Sequence, residues 1–387
     1  MGDPLGRCRP AFGRPAYAQG AGARGACGCN RLRGFNRGAI VDSIDERAAA
    51  RRRFVAQALG REEFAIEAAS ADASFRSYWR VAMPEGTRVV MDAPPSHEDI
   101  GPWLDVDARL RAAGLHAPEV FAVDRDAGFV LMEDLGARTY LPELDDASVD
   151  ALYADALDAL LRMQAKVDVA GLPPYDRARL VAEMELLPEW FLGRHLGFTP
   201  DCDEWDIVEA AFTFLVHAAL EQPRAFVHRD FHSRNLLVVP REGDADALAS
   251  PAIIDFQDAV VGPVTYDLVS LLRDCYIEWD PARVDGWIES HRLRLRAAHL
   301  IGPDTGETGF RRWVDLMGVQ RHLKVLGIFC RLWYRDGKAQ YLADLPRVWR
   351  YAQGVMRRYP ELGAFADLLE KALGGRDITQ SRQGDAP

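Results

Sequence analysis

Lysine is missing from the first 165 residues of this 387-residue chain, so any cationic task there falls to arginine. Cysteine occurs only six times, too sparsely for a disulfide-built scaffold and in keeping with a reducing cytoplasm. Long apolar runs are lacking too. No stretch of about 18 apolar residues is available to span a membrane. Positive charge is short: 47 Lys and Arg against 58 Asp and Glu give a net charge of −11. A general nucleic-acid binder needs a basic surface that displaces counterions, so that class is excluded. No internal repeat is visible. What remains is 48% hydrophobic and 27% charged, an ordinary globular composition, and the length predicts two or three folding units.

The net charge hides an asymmetry. Residues 1–40 hold seven Arg, one Asp and nine of the 32 Gly, a sum of +6 that leaves −17 for the rest. Residues 1–42 read as a disordered, basic Gly/Arg-rich extension. Arg is present there without a compact apolar segment, so the stretch is not read as a secretory signal. An unselected extension is the better reading than a basic arm for an acidic partner. Cys27-Gly-Cys29 is too tight a bite for a zinc knuckle, and no His follows at ligand spacing. Cys202, Cys275 and Cys330 read as packing residues.

The spacing predicts a helix over 44–60 capped by Ser43, then short strands over 64–69, 78–83 and 88–92. A helix over 97–114 and a hairpin over 119–133 complete a β-rich region, residues 43–134. After Leu135-Gly136 the pattern turns helical: 148–167, 177–196 and 203–220, then a β-rich break at 225–255, then helices from 266 to about 371. The fold class is therefore α+β, a small β-rich lobe followed by a larger helical lobe over 135–373. Residues 374–387 read as a polar, frayed tail. Small-molecule sites favour the junction of two such lobes.

The chemistry concentrates in FVHRDFHSRN (residues 226–235) and, twenty residues after Asn235, in IIDFQD (253–258). An Asp at a strand end, here Asp230, can orient a hydroxyl and accept its proton. Asn235 offers an amide oxygen to a hard cation, and Asp255 supplies a carboxylate to the same ion. Mg²⁺ prefers such oxygen ligands together with substrate phosphates, and phosphoryl transfer needs positioning plus neutralisation of phosphate charge.

HRDFHSRN resembles the H-x-D-x-x-x-x-N catalytic loop of the protein-kinase-like superfamily, and Asp255-Phe256-Gln257 stands where protein kinases have Asp-Phe-Gly. Residues 253–274, IIDFQDAVVGPVTYDLVSLLRD, are similar to the aminoglycoside/choline phosphotransferase branch. The resemblance covers roughly residues 47–372. It implies a bilobal protein-kinase-like fold, ATP as co-substrate, Mg²⁺ as cofactor, Asp230 as catalytic residue, and Asn235 and Asp255 as metal ligands. It also implies that His228 braces the loop and that Asp267 braces it and caps the next helix. LLPEWFLGRHL (186–196), QRHLKVLGIF (320–329), YRDGK (334–338) and YLADLPR (341–347) resemble bacterial anomeric sugar kinases. That likeness implies a small amino-sugar acceptor, N-acetylmuramate or N-acetylglucosamine, phosphorylated at the anomeric hydroxyl in cell-wall recycling. No obligate protein partner, nucleic acid or membrane is expected. An antibiotic kinase of the same fold and a non-catalytic nucleotide-binding module are the alternatives.

The small lobe departs from the family pattern. Its hairpin tip, ADASFRSYWR (71–80), has no Gly, and the strand RVVMD (88–92) has no Lys for the phosphates. Ser74, Ser77, Arg76 and Arg80 are the phosphate-binding candidates instead. Backbone groups near Glu133 and Leu135 are expected to bond adenine, with Leu131 and Met132 lining its slot. For the acceptor, the candidates are His232, Arg234, Glu183, Trp190, His322 and Lys324, with a basic cluster at 321–324 placed to meet a carboxylate.

Overall fold

A computed structural model describes residues 37–71, 75–239 and 250–382. Residues 1–36 of the expected extension and the candidate Ser74 lie outside the described residues, while residues 37–42, expected to be disordered, belong to a helix. Helix α1 (Arg37–Leu59) starts six residues before Ser43, which therefore lies within the helix instead of capping it. No proline interrupts residues 37–43, so nothing there stops helix propagation.

Five strands follow: β1 (Ala65–Ala71), β2 (Ser77–Met83), β3 (Gly86–Asp92), β4 (Val120–Asp124) and β5 (Phe129–Glu133), with α2 (Gly101–Ala112) inserted after β3. They form one antiparallel sheet in the order β1-β2-β3-β5-β4. The expected hairpin at 119–133 is the β4–β5 pair. Gly128, at φ 71°, begins its return; a Cβ there would sit 2.0 Å from the Ala93 carbonyl oxygen.

Strand alternation divides the sheet's side chains between two faces. Trp79, Val90 and Leu131 are cross-strand neighbours on the outer face, which α1 covers with Phe54, Val55 and Leu59. Leu131 thus packs under α1 and does not line a nucleotide slot. The inner face carries the row Arg80–Val89–Met132 and the row Tyr78–Met91–Val130. Met91, Val130 and Met132 join Trp103, Val106 and Leu110 of α2 in the main core.

The remainder is mostly helical: α3 (Tyr140–Glu143), α4 (Val149–Lys166), α5 (Arg177–Met184), a π-helical segment (Leu187–Leu196) and α6 (Cys202–Leu220). The single helix expected over 177–196 is therefore two, the second opening on Pro188, whose missing N–H suits a first turn. Short strands β6 (Arg224–Val227) and β9 (Val260–Pro263) pair, as do β7 (Leu236–Leu237) and β8 (Ala252–Ile253). Then come α7 (Tyr266–Leu272), α8 (Pro281–Ala297), α9 (Glu307–Tyr334), α10 (Leu345–Met356) and α11 (Gly363–Leu373).

Helix α9 has 28 residues, about 42 Å at 1.5 Å per residue. It is buried almost all round from Val314 to Cys330 and forms the axis of the helical layer. Gly327 lets it approach the π-helical segment: a Cβ there would lie 2.4 Å from the Leu186 backbone. The tail is docked at least to residue 382, not frayed. The His195 Nε2 lies 2.9 Å from the Ile378 carbonyl, and the Arg382 N–H donates to the Tyr334 hydroxyl at 3.2 Å. Cys275 and Cys330 are buried as expected, but Cys202 is exposed at the start of α6. Sheet and helices meet where the Ile253 N–H donates to the His116 carbonyl at 2.8 Å and where Trp103 packs on Phe256 at 5.2 Å between ring centres. Among the described residues no helix is long and apolar enough to cross a membrane.

Candidate active site

Strand β6 delivers the chain into a loop that the surrounding side chains hold at several points. Asp267, fully buried on α7, accepts the backbone N–H of His228 at 2.7 Å and of Arg229 at 3.0 Å. Its carboxylate is spent on the loop. It sits inside α7 and does not cap it, which corrects half of its expected role. The Nδ1 of His228 accepts the Asp230 N–H at 3.3 Å, so Nε2 is the protonated nitrogen and donates to the Ile254 carbonyl at 3.1 Å. Burial pushes the His228 pKa down to about 4, which keeps the ring neutral for this bridge.

Arg229 has a φ of 78°, a left-handed conformation that costs a side-chain-bearing residue about 1–3 kcal/mol. The two bonds to Asp267 and an ion pair between Arg229 and Glu183 of α5 hold it there. Glu183 also meets the Lys324 Nζ at 3.2 Å and the Tyr175 hydroxyl, while Lys324 donates to the Tyr266 hydroxyl at 3.1 Å. Burial opposes the charge on Glu183, but Lys324 and Arg229 outweigh it and hold the carboxyl below its usual range. Burial likewise opposes the charge on Lys324, and Glu183, Tyr266 and Asp230 together outweigh it. Both acceptor candidates are therefore ionised and committed to each other behind the loop.

The side chains of the chemical motif converge. The Asn235 amide donates to the Asp230 backbone carbonyl at 3.0 Å and to the Asp255 carboxylate at 3.1 Å. The Gln257 amide donates to the other Asp255 oxygen at 2.9 Å. Asp255 also has a positive φ, 64°. Burial disfavours a charged Asp230, yet Lys324, His232, Arg321 and Arg229 together outweigh it and keep the carboxyl well below its ordinary pKa. The amide carbonyl of Asn235 and the carboxylate of Asp255 are hard oxygen donors, a fit for a cation that shares its remaining positions with phosphates and water. Among the described residues no group of three or more His, Cys, Asp and Glu forms a self-sufficient metal site.

Beyond Asp230 the loop turns towards aromatic residues. The Ser233 N–H and hydroxyl donate to Asp274 at 3.0 and 2.6 Å, and Asp274 also accepts the Tyr276 N–H at 3.0 Å. Asp274 escaped notice in the sequence because nothing in its spacing marks it. The His232 ring meets Tyr276 edge-on at 5.4 Å, and the Arg234 guanidinium lies 3.5 Å over the Tyr276 ring and 5.9 Å from that of Tyr341. His322, by contrast, is sealed in the helical core. Its Nε2 faces the Arg273 carbonyl at 3.1 Å and its ring stacks on Tyr351 at 5.1 Å, with burial pushing its pKa down to about 3. It is not placed to contact an acceptor. Trp190 is half-buried on the π-helical segment and packs against the main core.

On the sheet side, Arg80 points from the inner face and forms a two-point ion pair with Asp134 at 2.6 and 3.1 Å. Burial opposes the charge on Asp134, and Arg80, Thr87 and the Gly136 N–H together outweigh it. Arg76 is 9% exposed. The Ser77 hydroxyl accepts the Trp79 indole N–H at 3.0 Å on the outer face, opposite to the face that carries Arg80. Asp92 lies on that outer face as well and binds Arg47 at 2.7 Å and Arg51 at 2.9 Å of α1. Met132 faces inwards, and Leu135 is half-buried just beyond β5. The Glu133 carboxylate meets His116 at 3.0 Å and the Glu119 N–H at 3.1 Å; its own N–H donates to the Glu119 carbonyl at 2.8 Å.

Known proteins resemble this chain in sequence and in fold. A family model described as the phosphotransferase enzyme family matches residues 65–300. The N-acetylmuramate/N-acetylglucosamine kinase of Pseudomonas aeruginosa is 44% identical over 310 residues, 80% of this chain and 89% of that protein. Its namesake from Pseudomonas putida is 43% identical over 311 residues, with the same coverage of 80% and 89%. Among solved structures, the choline kinase LicA of Streptococcus pneumoniae superposes with a TM-score of 0.54 at 14% identity, covering 83% of this chain and all of that one. The fold is thus protein-kinase-like. With the family match running from the first sheet strand through the Asp230 loop, this chain belongs to the phosphotransferase enzyme family and is an enzyme that transfers a phosphoryl group to a hydroxyl acceptor.

Proposed function

We propose that the chain is an ATP-dependent kinase that phosphorylates the anomeric hydroxyl of N-acetylmuramate and N-acetylglucosamine. The observation that carries the reading is the meeting of Asp230, Asn235 and Asp255 in a chain 43–44% identical to kinases named for those two sugars. ATP as co-substrate and recycled wall sugars as acceptors assign the activity to the cytoplasm.

In this reading Asp230 orients the C1 hydroxyl. As the C1 oxygen bonds to the γ-phosphorus and the bond to ADP breaks, the hydroxyl proton passes to the Asp230 carboxylate. A strongly depressed pKa makes Asp230 a weak base. An anomeric hydroxyl is more acidic than an ordinary alcohol, which suits it to such a partner. General-base help of this kind is worth about 10²–10⁴-fold. Asn235 and Asp255 would hold Mg²⁺, which would neutralise phosphate charge when bound. Arg80 and Arg76 take the phosphate role left open by the missing lysine, Arg80 by exchanging part of its pairing with Asp134. Backbone groups around Glu133 and Leu135, with Met132 beneath, receive the adenine.

The test is ATP consumption with Mg²⁺ across N-acetylmuramate, N-acetylglucosamine, glucose, choline and kanamycin, with loss of the sugar's reducing end followed in parallel. Turnover with an N-acetyl sugar and loss of its reducing end is expected. Turnover with kanamycin alone would move the chain to antibiotic chemistry. Silence with every acceptor despite ATP binding would favour a non-catalytic module.

A further inference from the structure

One cation near the loop has no hydrogen-bond partner among the described residues. Arg321 of α9 is only 3% exposed, yet its guanidinium donates no hydrogen bond to any described residue, and its Nε is sealed from solvent without an acceptor. Its surroundings are the Tyr266 ring, 5.7 Å away, and the carboxylates of Asp230 and Asp274, which act on it through space. It acts in the same way on His232, whose Nδ1 is likewise sealed and unpartnered. Two other cations by the loop, half-buried Arg229 and buried Lys324, differ. Arg229 and Lys324 are both paired to Glu183. Arg321 also lies beyond residues 65–300, so it stands outside the stretch this chain shares with the family model.

A buried guanidinium without hydrogen bonds is costly, and the cost falls when a planar anion takes its fork of donors. The two acceptor sugars in the proposed reaction differ in one respect that matters here: N-acetylmuramate carries a lactyl carboxylate, and N-acetylglucosamine does not. A carboxylate arriving beside Asp230 meets like-charge repulsion unless a cation stands between them.

We propose that Arg321 is the specificity residue for the anionic acceptor, binding the lactyl carboxylate of N-acetylmuramate while Asp230 takes the sugar hydroxyl. The assignment rests on the sugar-kinase reading. It adds that one side chain separates the two substrates.

The test compares N-acetylmuramate with its methyl ester, the same sugar with the carboxylate masked, by titration calorimetry. On the wild-type protein, the acid should bind roughly 10- to 100-fold more tightly than the ester, the value of a charge-assisted pair. In Arg321→Met that ratio should fall to about one, and in Arg321→Lys it should fall between. Equal affinity for acid and ester in the wild type overturns the proposal without any variant. So does a preference that survives Arg321→Met, or equal losses on acid and ester, which would make Arg321 a support of Asp230 alone. Binding of neither compound sinks this proposal and the sugar reading together. Phosphorylation of N-acetylglucosamine, which has no lactyl group, upholds the sugar reading even where the carboxylate assignment fails.

Discussion

Each polar residue around the loop has a separable task. Asp230→Asn keeps the size of the side chain and removes the proton acceptor. Turnover should fall by about 10²–10⁴-fold with ATP affinity retained, as measured by steady-state kinetics beside nucleotide titration. Asp267→Ala strips the acceptor from two buried N–H groups, each worth about 1–3 kcal/mol when left unmet. Both the melting temperature and kcat should drop, and an unaltered kcat would show that the loop holds its shape by other means. Arg80→Ala should raise the KM for ATP several-fold, and an unchanged KM would place the phosphate contact elsewhere. Asp230, Asn235 and Asp255 were legible in the sequence because loop chemistry fixes their spacing. Asp274 and the commitment of Glu183 to Arg229 were not, because they depend on how α5 and the turn after α7 pack against the loop.

At the level of elements, the β-rich half was the more readable. Short alternating runs separated by Gly and Pro turns located all five strands within a residue or two. Helix α9 was harder. Its apolar residues have no single face because the helix is buried on nearly every side, so the sequence reads Arg321, His322 and Lys324 as one cluster facing an acceptor, whereas His322 is sealed in the core and Lys324 is paired with Glu183. The close approach at Gly327 leads to a sharp expectation. Gly327→Ala drives a methyl into the Leu186 backbone, and overpacking of this kind costs about 1–3 kcal/mol or more. A melting temperature unchanged by the substitution would contradict the packing described. The face of Asp92 allows another check. Asp92→Lys places an amino group opposite Arg47 and Arg51 on the outer face. It should destabilise the protein and leave the KM for ATP no lower, although the strand would then carry the missing lysine.

For the whole molecule, buried histidines set the response to acid. Burial lowers His228 to about 4 and His291 and His322 to about 3. In the unfolded chain each takes a proton near 6.5, whereas the folded protein refuses it until pH 3–4. Protons therefore favour unfolding throughout that window, and stability is lost as pH falls from about 6.5 towards 4. The melting temperature should decline steadily between pH 7 and 4.5, less steeply in His322→Gln. A flat profile would count against these neutral, buried rings. The two-part architecture itself was readable from the change of character after Gly136. What joins the parts, His116 to Ile253 and Trp103 to Phe256, lies between segments more than a hundred residues apart and leaves no local signature. The placement of α9 also bears on how the protein is made. Lys324 emerges from the ribosome 94 residues after Asp230, which at ordinary elongation speeds is a delay of roughly 5–20 s. For that interval the nascent chain carries Glu183 without one of its two cations, so the phosphotransfer centre is completed only after α9 has emerged.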